Sequence, residues 1–198
     1  KAAASQTAIA KQLNKTLISG LDEKGIVFGK TNAINTKTGE FIPNAESFKR
    51  LKDNVEYFLS FSNEDDCLIV TGLNPDYVVE HPRIFYVGNL DVQRLLGVFK
   101  ASKYFIHLAY LDHCPNVVID ARACGAKIIC ASSGGTKEIA GSDAIIIEDH
   151  DWDFSFIQSQ SLPKLNYDKK INNVFNSDIS MAKASKKYLN LFKEVISG

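Results

Sequence analysis

Six short apolar runs constrain this chain more than any other feature: Ile26–Phe28, Cys67–Val70, Ile84–Val87, Tyr104–Leu108, Lys127–Cys130 and Ala144–Ile147. They are rich in Ile, Val and Phe, the composition of strands buried on both faces of a parallel sheet. Amphipathic stretches lie between them. Asn44 is placed to cap a helix bearing Phe48, Leu51, Val55 and Phe58 on one face. Asp91 is placed to cap a second, bearing Leu95, Leu96, Val98 and Phe99. Residues 116–124 read as a short helix stopped by Gly125, a favoured residue just past a helix end. Such alternation predicts an α/β domain, a Rossmann-like parallel sheet of about six strands with helices on both faces.

The two ends read differently. Ile9, Leu13 and Leu17 fall at helical spacing within residues 2–21. Residues 1–24 are therefore expected to be an N-terminal linker helix, and 25–198 the Rossmann-like domain. The first residue is Lys1 rather than Met, so the expectation is a piece of a longer polypeptide with further domains. At the other end Met181, Ala184, Tyr188, Leu191, Phe192 and Val195 outline a long amphipathic helix. Residues 149–178 are polar and weakly periodic.

With 45% hydrophobic and 23% charged residues, the 198-residue chain is no disordered tail or disulfide miniprotein. Its 23 basic and 23 acidic residues cancel. Nothing in that balance advertises a nucleic acid or an anionic membrane, and any bound anion must be held by a local site. No apolar run approaches the roughly 20 residues that cross a bilayer, and no Leu-rich signal core opens the chain. Cys67, Cys114, Cys124 and Cys130 include no C-x-x-C pair, and Cys67 and Cys130 lie in apolar runs where free Cys acts as a small hydrophobe. The reading is a reduced, cytoplasmic, metal-free protein.

In parallel sheets ligands bind beyond the carboxyl ends of the strands, so chemistry belongs to the post-strand loops. After the fourth run comes AYLDHCPNVVIDARACGAK. Pro115 suits a first helical position, and the amides of Asn116, Val117 and Val118 would then point out of a helix start that favours an anion. Asp112 precedes this turn and Asp120 stands about one turn inside it. Carboxylates so placed accept hydrogen bonds from vicinal hydroxyls; the alternative is a loop residue and a solvated helix residue. Lys30 and Lys37, after the first run, are either cations for a diphosphate or surface lysines. Gly134 and Gly135 permit close backbone approach to a ligand, or make an ordinary tight turn, and Glu138 follows them. Gly88 and Asn89, after the third run, wall a base or simply connect strand to helix. Asp149–His150–Asp151–Trp152–Asp153 alternates acids as a cation site would, but follows the last strand. No G-x-G-x-x-G, Walker A or G-x-S-x-G pattern is present, which removes the dinucleotide, P-loop and serine-hydrolase readings.

The stretch PRIFYVGNLDVQRLLGVFKASKYFIHLAYLDHCPNVVIDARACGAKIICASSGGTKEIAG resembles the nucleotide-sugar-binding C-terminal half of GT-B glycosyltransferases of the retaining family four. That family shows E-G-x-P-x-x-x-x-E-A, then G-x-P-V-I, then G-G-x-x-E. Asp112, Pro115, Asp120, Ala121, Gly125, Gly134, Gly135 and Glu138 stand here in the same order. The resemblance covers residues 82–141 closely and 26–81 loosely, and KYLNLFKEVI is similar to the family's closing helix. It implies a transferase of hexosyl or deoxyhexosyl groups, UDP-linked in the donor, to a carbohydrate acceptor, as in polysaccharide biosynthesis, with retention and without a metal. Asp112 would then sit near the donor sugar and reacting carbon, and Asp120 on the ribose. His113, Cys114, Asn116 and Val117 would line sugar and phosphates, with Lys30 and Lys37 on the diphosphate. Both acids are Asp rather than Glu, and His113 replaces a Gly, so a non-catalytic or degenerate nucleotide-sugar-binding module is the alternative.

Overall fold

The structure is a computed structural model that describes residues 49–72, 77–150 and 162–197, with the strands β1 (Ile26–Phe28) and β2 (Ala33–Asn35). The chain divides into two compact units, residues 1–48 with 154–162, and residues 49–153 with 163–198. In the first unit β1 and β2 pair antiparallel, with Ile26 opposite Asn35 and Phe28 opposite Ala33. The run Ile26–Phe28 was expected to join a parallel sheet; it pairs instead with the segment just after it, the contact whose loop closure costs least entropy. The linker helix expected over 1–24, Lys30, Lys37 and the cap Asn44 all lie outside the described residues.

The second unit holds α1 (Leu51–Phe61), β3 (Leu68–Thr71), β4 (Ile84–Gly88), α2 (Val92–Ala101), β5 (Tyr104–His107), α3 (Asn116–Ala123), β6 (Lys127–Ala131), α4 (Thr136–Ile139), β7 (Ile145–Ile147), β8 (Lys170–Ile171) and α5 (Met181–Ser197). It is a mixed α/β fold with open sheets. β3 and β4 form a parallel pair, while β5, β6, β7 and β8 form a second sheet in that order. β5, β6 and β7 are parallel, and β8 runs antiparallel at the edge. Among the described residues the parallel strands thus divide as two in one sheet and three in the other, the latter completed by antiparallel β8; one sheet of about six is the sequence expectation. β8 has no apolar run to announce it: it is two residues long, and its Lys170 is the kind of charged edge residue that discourages further pairing.

The core of the four-stranded sheet joins Ile128, Cys130 and Ile146 to Phe99 of α2 and to Val118 and Ala121 of α3. Phe99 meets Phe105 edge to face at 5.2 Å. Its other face joins Leu108, Ile129 and Ile147 to Tyr57 of α1. Full burial of one such aliphatic side chain is worth about 1.5–3 kcal/mol. Cys130 is fully buried among them, and burial pushes its thiol up to about 12. Cys67 falls just before β3 and is exposed, against the expectation of a core position.

Among the described residues the β3–β4 pair is covered on one face only. Leu68, Val70, Ile84 and Tyr86 cluster with Val55 and Phe58 of α1, whereas Ile69, Phe85 and Val87 point outward and are exposed. α1 starts at Leu51 behind Arg50, which adopts φ 51° and ψ 46° and offers no side-chain cap. Asp91 caps α2 as its sequence position predicts, accepting from the Arg94 amide at 2.9 Å. α3 ends at Cys124 and Gly125, whose φ of +94° supplies the left-handed stop. α5 forms where the periodicity places it, yet buries none of its residues; Tyr188, Phe192 and Val195 remain exposed.

Candidate functional site

Because β5, β6 and β7 run parallel, the loops that follow them gather at one edge of the sheet. The first two loops interlock. The Gly135 amide donates to the Asp112 carbonyl at 2.9 Å, the Thr136 hydroxyl to the same oxygen at 3.3 Å, and the Leu111 amide to Ser133 Oγ at 3.3 Å. A Cβ on Gly134, whose φ is +71°, would stand 2.5 Å from the Asp112 carbonyl oxygen. A Cβ on Gly135 would collide with the His113 carbonyl oxygen. The paired glycines therefore let one loop lie directly on the other. Leu111 turns the upper loop with φ 53°, a conformation that L-residues avoid.

That turn brings Asp112 back over the end of β5. His107 Nε2 lies 3.1 Å from Asp112 Oδ2, and the Cys114 amide also donates to the carboxylate. These contacts, led by the His107 hydrogen bond, hold the carboxyl below its usual range despite partial burial. The His107 side chain is 17% exposed and that of Asp112 36%. Sequence reasoning passed over His107 as part of an apolar strand. A polar ring inside Tyr104–Leu108 was the available signal, since a half-buried imidazole requires a partner.

α3 begins at Asn116, where the reading of a helix over 116–124 puts it. Pro115 is its N-cap rather than its first residue, with φ −70° and ψ 114°, and a proline offers no side-chain acceptor. The Val118 amide donates to the Pro115 carbonyl at 3.0 Å, so it is not free for a ligand as the sequence reading had it. The amides of Asn116 and Val117 precede the first helical acceptor and find no carbonyl within α3. Val117 turns its side chain to the core and contributes its backbone alone. Asp120 is exposed one turn further along α3, and Glu138 is exposed on α4. Gly88, with φ +69°, closes β4 by accepting from the Gly72 amide at 2.8 Å, and exposed Asn89 follows. The structure thus joins Asp112, His113, Gly134 and Gly135 in one interlocked pair of loops, with Cys114, Pro115 and Asn116 in direct continuation. Gly88 and Asn89 belong to the end of the other sheet.

A buried ion pair braces these loops. The Arg50 guanidinium grips Asp149 at 2.7 and 3.2 Å, and both side chains are essentially without solvent exposure. It also donates to the carbonyls of Leu108 at 3.5 Å and Pro163 at 2.8 Å and stacks over Tyr110. The Asp149 amide in turn donates to Ser132 Oγ at 2.8 Å. One arginine therefore links the chain after β5 to the chain after β7. Its Nε is buried with no partner among the described residues. Asp149 had been a candidate cation ligand; its carboxylate is taken by Arg50, and Asp151 and Asp153 lie outside the described residues.

Among curated proteins, the chain is similar to an uncharacterized glycosyltransferase of Methanocaldococcus jannaschii, 22% identical over 123 residues, covering 58% of this chain and 31% of the relative. The match therefore spans about a third of that protein's length. No family model matches. No solved structure matches. No helix among the described residues is long and apolar enough to cross a membrane.

Proposed function

We propose that the chain is the donor-binding portion of a glycosyltransferase, a Rossmann-like half of a GT-B enzyme that binds a nucleoside-diphosphate sugar and presents it to a carbohydrate acceptor. The observation that carries this reading is the junction of Asp112 with the start of α3. An ionised carboxylate, fixed by His107 and the Cys114 amide, stands just before the helix-start amides of Asn116 and Val117, which have no acceptor among the described residues. A diphosphate fits such amides, where the helix dipole favours negative charge. A sugar hydroxyl fits the carboxylate, which keeps acceptor capacity after its two protein contacts. The distant similarity to a glycosyltransferase supports the same chemistry.

In this reading the diphosphate lies against the amides of Asn116 and Val117. Those groups stabilise the negative charge that builds on the nucleotide as the bond to the anomeric carbon breaks. Asp112 orients the hexosyl or deoxyhexosyl ring at the reacting carbon, and Asp120 takes the ribose hydroxyls. Gly88, Asn89, His113, Cys114, Pro115, Gly134, Gly135 and Glu138 complete the walls. UDP is the proposed nucleotide, transfer proceeds with retention in the cytoplasm, and the acceptor site belongs to a further domain.

Calorimetric titration of UDP, GDP, dTDP and NAD into wild type and Asp120→Ala tests the reading. Binding of one diphosphate, weakened by about tenfold on loss of a charge-assisted hydrogen bond, is the expected result. Binding of NAD alone, or of none of the four, would overturn it.

A further inference from the structure

We infer that His107 is a positioning residue of the donor site, holding Asp112 so that the pair acts on the sugar rather than on the nucleotide. This rests on the donor-site reading, and three features of the chain carry it. The first is location. His107 is the last residue of β5, on a strand whose Tyr104, Phe105 and Ile106 are apolar or aromatic, and its ring lies nearly parallel to that of Phe105 at 6.1 Å. A polar ring in such a place is desolvated and needs a partner. The second is direction. Asp112 is brought to that ring by a loop that turns through Leu111 at φ 53°, an arrangement maintained only where surrounding contacts over-determine it. The third is the interlock beneath it: the Asp112 backbone carbonyl is gripped by the Gly135 amide and the Thr136 hydroxyl. Backbone and carboxylate of one residue are thus fixed independently, the backbone from the β6 loop and the carboxylate from β5.

A carboxylate restrained in this way loses little freedom when a ligand hydroxyl binds it, which is how preorganisation raises affinity. The α3 amides that suit a diphosphate do not contact His107, so removing the imidazole should separate sugar recognition from nucleotide recognition. His113 and Cys114 are the other titratable groups beside the carboxylate, and both stay in place when position 107 is changed.

The test uses His107→Leu, which suits a strand interior, and His107→Gln, whose amide can reproduce the Nε2 donor. Each is titrated with the nucleoside diphosphate that wild type binds and with the corresponding diphosphoglucose. His107→Leu should weaken the sugar nucleotide about tenfold, the worth of one hydrogen bond to a charged group, and leave the diphosphate within about twofold. His107→Gln should recover most of the loss. Equal weakening of both ligands would make His107 merely structural, and no weakening of either would remove it from the site. The second readout needs no ligand: the Asp112 carboxyl carbon, followed by NMR against pH, should titrate higher in His107→Leu than in wild type. If wild type binds neither ligand, the donor-site reading fails while this titration still decides whether His107 governs Asp112. An unchanged midpoint would overturn the inference.

Discussion

Replacing Gly135 with alanine adds one methyl group at the point where the two site loops touch. Gly135 has φ −95°, which alanine adopts freely, so the substitution carries no backbone penalty of its own. The added Cβ nevertheless collides with the His113 carbonyl oxygen and approaches its carbonyl carbon at 3.1 Å. Both are backbone atoms and neither can rotate away. One loop must lift, and lifting breaks the 2.9 Å hydrogen bond from the Gly135 amide to the Asp112 carbonyl. Overpacking of this kind costs about 1–3 kcal/mol and a lost hydrogen bond about 0.5–1.5, giving roughly 1.5–4.5 kcal/mol together. Gly97 supplies the control: it lies within α2, and a Cβ there meets nothing within 4 Å. Gly97→Ala should stabilise by about 0.5–1 kcal/mol. Urea unfolding of the two variants reads the contrast as midpoint shifts of opposite sign at similar slope. A Gly135→Ala protein as stable as wild type would refute the interlocked-loop account.

Three further outcomes follow from the same structure. Arg50→Met or Asp149→Leu alone leaves a buried charge without its partner and should cost about 3–5 kcal/mol in urea unfolding, whereas the double variant Arg50→Met with Asp149→Leu should cost less than the sum of the two. Equal additivity would deny that the two act as a pair. In the native protein alkylation followed by peptide mass spectrometry should find exposed Cys67 and Cys114 modified first, and Cys130 only after unfolding. Native stability should also respond to pH through two groups of opposite sign. The Cys130 thiol is raised, so the unfolded state releases its proton first, and stability should fall as pH rises above the ordinary thiol range of about 8.5. The Asp112 carboxyl is lowered, so its contribution is present at neutral pH and is lost as pH falls through and below the ordinary carboxylate range near 3.9. Cys130→Val should flatten the alkaline limb and Asp112→Asn the acid limb; unchanged limbs would contradict the assignments.

Much of the strand and helix pattern was legible because it rests on local chemistry. KIIC forms a strand covered on both faces and IFYV one whose Ile84 and Tyr86 face a helix, Asp91 caps the helix that follows it, and Gly125 stops α3 by conformational freedom alone. What eluded the sequence depends on pairing at a distance. Nothing in Lys170–Ile171 signals an edge strand, and nothing in Ile26–Phe28 distinguishes an antiparallel hairpin from a parallel strand. Arg50 is an unremarkable basic residue until Asp149, ninety-nine positions away, is placed beside it. The site divides in the same manner. Asp112 and the Gly134–Gly135 pair could be singled out by type and spacing, but that the glycines serve the Asp112 loop could not. His107 was hidden because its apolar neighbours made it read as strand.

Asp112 and the start of α3 form the proposed donor site. Amide NMR of the wild-type chain during titration with a nucleoside diphosphate and its sugar conjugate tests this most directly. The diphosphate should shift the amides of Asn116 and Val117 foremost, and the sugar conjugate should add shifts at Asp112, His113 and Cys114. Saturable shifts confined to other surfaces, such as the exposed face of β3 and β4, would contradict it.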